Sequence, residues 1–258
     1  MGQIKEIFEY REMLFSLVRR DLRGRYKGSI LGFLWTFINP LLQLMVYTVV
    51  FSVIIRSGID KYYLFLFVVL IPWIFFSTSV IGCASIIIAH QNMVIKIYFP
   101  REILPVSYVV TCFINMLLSF IVVFVVILFS GVGFNFRALL CLPVIMVIEF
   151  FMALGLGMLV AGITVYLRDI EHILGIVMMA WQFLTPIMYS MDVVPEKYIP
   201  IFLLNPMTAI MQGYRDILYY KQVPEMGMML EAVVFACVVL VIGWSSFAKL
   251  KKGFAEEL

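Results

Sequence analysis

Residues 62–88 read YYLFLFVVLIPWIFFSTSVIGCASIII, an uncharged run with Pro72 beside Trp73. A helix of about 20 apolar residues spans the ~30 Å hydrocarbon core of a bilayer, and this run is long enough. Comparable runs occupy 29–55, 104–129, 138–166, 173–189 and 228–247. Barrel-type alternation is absent. Only helices and closed barrels satisfy their backbone in lipid, so helices must do the spanning. Composition agrees: 64% of the 258 residues are hydrophobic and 14% charged, with mean hydropathy +1.05. Soluble domains lie nearer half apolar and a quarter charged. The expectation is an all-α membrane protein with six transmembrane helices in a single domain. Residues 1–28 form an N-terminal segment, 29–249 the six-span core and 250–258 a tail.

Outward from the core the charges carry the information. The formal charge of +3 is too small to point to nucleic acid. Cys83, Cys112, Cys141 and Cys237 all fall in apolar runs without a CxxC pair, and read as small buried residues. The charged first ~25 residues lack the apolar core of a cleavable signal peptide. Within 4–22, Ile4, Ile7, Phe8, Leu14, Phe15, Val18 and Leu22 recur three and four apart, opposite Lys5, Glu6, Glu9, Glu12, Arg19 and Arg20. That spacing predicts an amphipathic helix lying in the membrane interface, or packed on a soluble partner. A basic knot follows, with Arg23, Arg25 and Lys27 just before the first span. Asn39-Pro40 predicts a kink or break in that span.

Positive residues concentrate on cytoplasmic segments. Placing both termini inside puts thirteen of the 19 Lys and Arg on that side. The proline-bounded loop IKIYFPREILP (95–105) and the segment LRDIEH (167–172) are then both cytoplasmic. Residues 190–225 are too polar to span. Ile210, Tyr214, Ile217 and Leu218 keep amphipathic spacing, while Pro195, Pro200 and Pro206 divide the stretch. Two short re-entrant helices between spans five and six fit, provided protein or a cavity covers them. An ordinary outside loop is the alternative.

Catalytic patterns are missing. There is no GxxxxGK[ST] phosphate loop, no GxSxG and no HExxH. His90 and His172 form no metal-ligand spacing, and Asp169 and Glu171, two apart, point to different helix faces. Glu149 lies mid-span, where a charge costs several kcal/mol on insertion scales (~3). An inter-helix hydrogen bond or a dimer contact would account for it; a proton-coupled carrier would also need such a group. Aromatics make up 16% of the chain. Packing and the interfacial belt explain most of them, yet aromatic faces also suit the C–H faces of sugars.

Six blocks carry a family resemblance: RYKGSILGFLWTFINPLLQLMVYTVVFS, LIPWIFFSTSV, NMVIKIYFPREILPVS, VYLRDIEHIL, FLTPIMYSMDVVP and NPMTAIMQGYRDILY. In this order they resemble the ABC-type polysaccharide export permeases, which export O-antigen, teichoic acid and capsule-like glycans. The resemblance implies an inner-membrane homodimer working with two copies of a separate ATPase subunit, which binds the ATP and Mg. No cofactor is implied for this chain. The substrate would be a glycan on a polyprenyl diphosphate lipid, with O-antigen type favoured and teichoic acid or capsule as alternatives. A proton-coupled carrier or an intramembrane lipid-processing enzyme is the alternative of another class.

The same resemblance makes Lys96, Tyr98, Phe99, Pro100, Arg101 and Glu102, with Arg168, Asp169 and Glu171, the candidates for coupling to the ATPase. A short helix clamped by proline could transmit rigid-body motion. Arg23, Arg25 and Lys27 are candidates for recognising the lipid diphosphate, because guanidinium suits multidentate phosphate contact; plain positive-inside anchoring is the alternative. Tyr47, Phe51, Trp181 and Tyr189 are the expected pore-lining aromatics.

Overall fold

Helix α4 (Tyr62–Ala89) stands at the centre of the computed structural model, which describes residues 2–24, 28 and 31–258. From Leu64 to Trp73 every residue is buried, whichever way it points. A helix apolar all round must be covered on all sides. Here α3 (Trp35–Thr48), α6 (Ile103–Ser130), α8 (Leu142–Thr164) and α9 (Ile170–Phe183) pack against it. Helix α12 (Met226–Leu250) lies along α8. Their backbones touch: a Cβ on Gly155 would sit 2.7 Å from the Leu240 Cα, and one on Gly243 would overlap the Gly155 carbonyl oxygen. Small residues allow such approach where lipid supplies no hydrophobic drive between helices.

Five helical stretches are long and apolar enough to cross a membrane: Gly32–Ile54, Tyr62–Ala89, Ile103–Ser130, Phe136–Thr164 and Met226–Gly253. The run expected to continue to Tyr189 stops sooner. Helix α9 has 14 residues, about 21 Å at 1.5 Å per residue. Pro186 disfavours helix at Thr185, and the chain turns there. In the first stretch the helix runs on through Pro40 instead of breaking. Proline cannot donate back to the carbonyl four residues earlier. The Ser119 hydroxyl on α6 donates to that Thr36 carbonyl at 3.4 Å.

The N-terminal amphipathic segment forms two helices, α1 (Gly2–Glu9) and α2 (Arg11–Gly24), with a turn at Tyr10 between them. Leu17 and Val18 are buried and α2 packs on α6, whereas Phe8 and Phe15 stay exposed. After α4 comes the short α5 (Gln91–Lys96). Between α6 and α8 lies α7 (Phe136–Leu139), capped by the Asn135 side chain accepting from the Arg137 N–H at 3.0 Å. The 190–225 region contains two short helices, α10 (Ile199–Leu203) and α11 (Pro206–Arg215), the second prolonged by a wide turn over Asp216–Tyr220. Ile210, Tyr214, Ile217 and Leu218 are buried, as their spacing predicts. A last turn, Lys251–Gly253, leads into α13 (Phe254–Glu257).

Candidate functional site

At the end holding both termini, α5 stops at Lys96 and the chain runs without helix through Pro100 before a turn at Arg101-Glu102 opens α6. Lys96 and Tyr98 are exposed, Tyr98 at 82%, while Phe99 and Pro100 are buried. The Tyr98 hydroxyl donates to Glu6 of α1 at 3.2 Å. The nearby Glu6 carboxylate holds that phenol above the usual tyrosine range. Arg101, half-buried, lines one hollow with Glu6 and Tyr98, whereas Glu102 turns inward. Glu102 is 1% exposed and pairs with Lys251 at 2.5 Å. Arg101 donates to the Lys251 carbonyl and sits 5.8 Å from the Phe254 ring. Arg168 and Asp169 are exposed between α8 and α9, and Glu171 is exposed in the first turn of α9. Of the nine coupling candidates, five therefore offer an open polar or charged group, Arg101 is half-buried, and Phe99, Pro100 and Glu102 are buried.

Arg23 is exposed and shares a surface hollow of about 370 Å³ with Arg19 and Arg20. Arg20 also meets the His90 ring nitrogen at 2.5 Å. Arg25 and Lys27 lie outside the described residues. Three guanidinium groups at one hollow suit a multiply charged oxyanion.

The four aromatic candidates do not form one cluster. Phe51 stacks on Tyr62, 6.0 Å apart at 15°, and Tyr47 is half-buried one turn earlier. Trp181 meets Phe76 edge-on at 5.4 Å and donates its indole N–H to Asn205 at 2.9 Å. Tyr189 donates to the Phe183 carbonyl at 2.6 Å.

Between α3, α4 and α6 a cleft of about 430 Å³ opens, lined by Thr36, Asn39, Thr78, Asn115 and Ser119 with the rings of Trp35 and Phe75. Hydroxyl and amide groups beside aromatic faces suit a hydroxyl-bearing ligand better than bare hydrocarbon.

The opposite, far end is closed by buried polar bonds. The Arg215 guanidinium, 1% exposed, donates to the Pro186 and Ile187 carbonyls at 2.9 and 3.0 Å and stacks 3.7 Å from the Phe65 ring. Tyr214 donates to Glu149 at 2.6 Å, and Tyr62 to the Met188 carbonyl at 2.7 Å. Asn205 caps α11 and also donates to Thr185 at 2.9 Å. Thus the short α11, the turn after α9 and helices α4 and α8 are tied together. Among the described residues no cluster of His, Cys, Asp or Glu is arranged to hold a metal.

The profile of a family described as ABC-2 type transporter matches residues 12–219. The chain belongs to that family. This ABC-2 transporter chain is 36% identical over 257 residues to the O-antigen export system permease protein RfbA of Myxococcus xanthus, covering 99% of this chain and 98% of the relative. A Klebsiella pneumoniae protein of the same name is 30% identical over 253 residues, covering 96% and 95%. The polysialic acid transport protein KpsM of Escherichia coli is 21% identical over 234 residues, covering 88% and 89%. The ABC-2 family chain thus has permease relatives along nearly its whole length.

For this ABC-2 transporter, the sequence-based expectations gave no role to the cleft, Arg215 or Lys251, and gave Tyr214 only a buried face. A signal for the cleft was present: Thr36 and Asn39 lie three apart, and Asn115 and Ser119 four apart, inside otherwise apolar runs. Glu149 takes the inter-helix hydrogen bond expected of it, with Tyr214 as the donor.

Proposed function

We propose that this chain is the transmembrane permease subunit of an ABC exporter that moves an O-antigen-type polysaccharide, carried on a polyprenyl diphosphate, across the cytoplasmic membrane. The observation that carries this reading is the 36% identity, over 99% of the chain, to an O-antigen export permease. The chain is read as spanning six times with both termini cytoplasmic; α9 supplies the fifth crossing together with the turn after it. Helices α10 and α11 dip into the outer face as re-entrant pieces, a placement supported for α11 by the buried bonds of Tyr214 and Arg215.

ATP and Mg are bound by two copies of a separate ATPase subunit. Lys96, Tyr98, Arg168, Asp169 and Glu171 form the open face that this motor grips, with Phe99, Pro100, Arg101 and Glu102 as the packed base beneath it. Arg23, with Arg25 and Lys27, receives the lipid diphosphate at the inner leaflet; the Arg19–Arg20–Arg23 hollow supports this. Two copies of the chain close over α3 and α9, and Tyr47, Phe51, Trp181 and Tyr189 line the route between them. Exposed Leu41, Met45 and Val46 on α3 and Ile173, Ile176 and Val177 on α9 support that closure.

Deleting the chain in its host, where no second exporter operates, is expected to trap lipid-linked polymer inside the cell. Unchanged surface polymer in that strain would refute the assignment.

A further inference from the structure

The last carbonyls of a helix have no onward helical partner. At the end of α12 two different loops take them. The Tyr166 hydroxyl, at the start of the α8–α9 loop, donates to the Leu250 carbonyl at 2.8 Å. Arg101, in the α5–α6 loop, donates to the Lys251 carbonyl, which also caps the following turn through the Phe254 N–H. The Lys251 ammonium then returns to the buried Glu102 carboxylate at 2.5 Å.

Phe254 is fully buried behind this turn, with the Tyr166 ring 6.3 Å away, the Phe247 ring 5.6 Å away and the Arg101 guanidinium 5.8 Å away. A Cβ on Gly253 would overlap the Tyr166 hydroxyl, so any larger residue there would push the Tyr166 side chain aside. Among the described residues no hydrogen bond joins the two loops directly; each is bonded to the turn between them.

We propose that the C-terminal turn, Leu250–Phe254, is a cross-brace that fixes the α5–α6 and α8–α9 loops to each other through Lys251 and Tyr166. This deepens the reading of those loops as the face gripped by the ATPase, and rests on it. Motion received at either loop then reaches the starts of α6 and α9 and the end of α12 as one body. Energy passes between distant sites through such packed, rigid elements. Lys251 and Tyr166 are positioning residues, since they act through the loops and need not touch the motor.

The test uses the full permease with its partner ATPase in proteoliposomes, carrying Lys251→Met or Tyr166→Phe. Each variant keeps most of its side chain's bulk; Lys251→Met loses the Glu102 ion pair while the Arg101 bond to the backbone remains, and Tyr166→Phe loses the bond to Leu250. Two quantities are read: polymer moved per ATP hydrolysed, normalised to permease present, and amide hydrogen exchange over 97–102 and 165–169. Each variant is expected to lower the transport ratio about fivefold or more, the low end of typical coupling effects, and to speed exchange in both loops. Exchanging the charges, Glu102→Lys with Lys251→Glu, is expected to recover the ratio.

A wild-type ratio in both single variants overturns the brace. So does faster exchange confined to the loop beside the altered residue. A wild-type complex that moves no glycan would instead refute the substrate reading, and the exchange measurement decides the brace on its own.

Discussion

At the far end, Arg215, Tyr214, Tyr62 and Asn205 direct their polar atoms to carbonyls, a carboxyl and a hydroxyl, and these bonds tie the short α11 and the turn after α9 to each other and to the long helices α4 and α8. At the end with the termini, Lys96, Arg168, Asp169 and Glu171 lie exposed, and one part-buried ion pair, Lys251–Glu102, stands behind them. Both ends are built of loops and short helices, so secondary structure does not separate them. What differs is where the polar groups find partners. A buried group deprived of its partner keeps the full desolvation penalty, whereas a solvated one turns to water. The far end is therefore costly to rearrange, and the termini end is free to exchange partners with another protein.

The largest effect expected from this contrast is at Arg215. Arg215→Met removes the donor from two buried carbonyls and should destabilise the fold by about 1–3 kcal/mol for each acceptor left unpaired. Thermal unfolding of the detergent-purified protein measures it; an unchanged Tm would dissolve the distinction between the ends. Next is the helix–helix contact between them. Gly243→Ala should cost about 1–3 kcal/mol by forcing α8 and α12 apart, read in the same assay, and a neutral result would show that the two backbones separate easily.

Glu149 separates two functional classes. Glu149→Gln leaves an acceptor for Tyr214, so export should persist at the wild-type level. A proton-coupled carrier would lose transport instead, and vesicle transport assays distinguish the outcomes. At the exposed face, Arg168→Ala and Lys96→Ala should change stability by no more than about 0.5 kcal/mol, as surface substitutions do, while lowering transport-coupled ATPase activity. A stability loss as large as that of Arg215→Met would make this end as closed as the other.

The smallest expected effect is a titration. Glu6 holds the Tyr98 phenol above its usual range, so the neutral, donating form persists as pH rises past the ordinary tyrosine pKa of about 10. The contact is lost as pH rises through the higher folded value. Glu6→Gln should move Tyr98 back toward the usual range, seen in the NMR signals of labelled tyrosine; no movement would place Tyr98 outside the reach of Glu6.

The run around Pro72 shows how much the sequence itself determined. Its uninterrupted apolar character requires a helix shielded from water, and α4 is buried through Leu64–Trp73. Patterning likewise foretold the two short helices after Pro195 and the buried face of Ile210, Tyr214, Ile217 and Leu218, because periodicity is a local property of the chain. Of IKIYFPREILP, expected to be a proline-bounded loop, only 97–102 is non-helical; Ile95 and Lys96 close α5, and Ile103 to Pro105 open α6.

Which of its residues face outward was not legible. Lys96, Arg101 and Glu102 look alike as charged loop residues, yet Glu102 is buried only because Lys251, 149 positions later, folds back to meet it. The bonds of Arg215 to Pro186 and of Tyr214 to Glu149 have the same origin. Composition and spacing fix what a segment requires of its surroundings, and only the tertiary structure decides which distant residue supplies it. A hydrogen bond or ion pair is made by proximity in space, and proximity between remote segments leaves no local period to read.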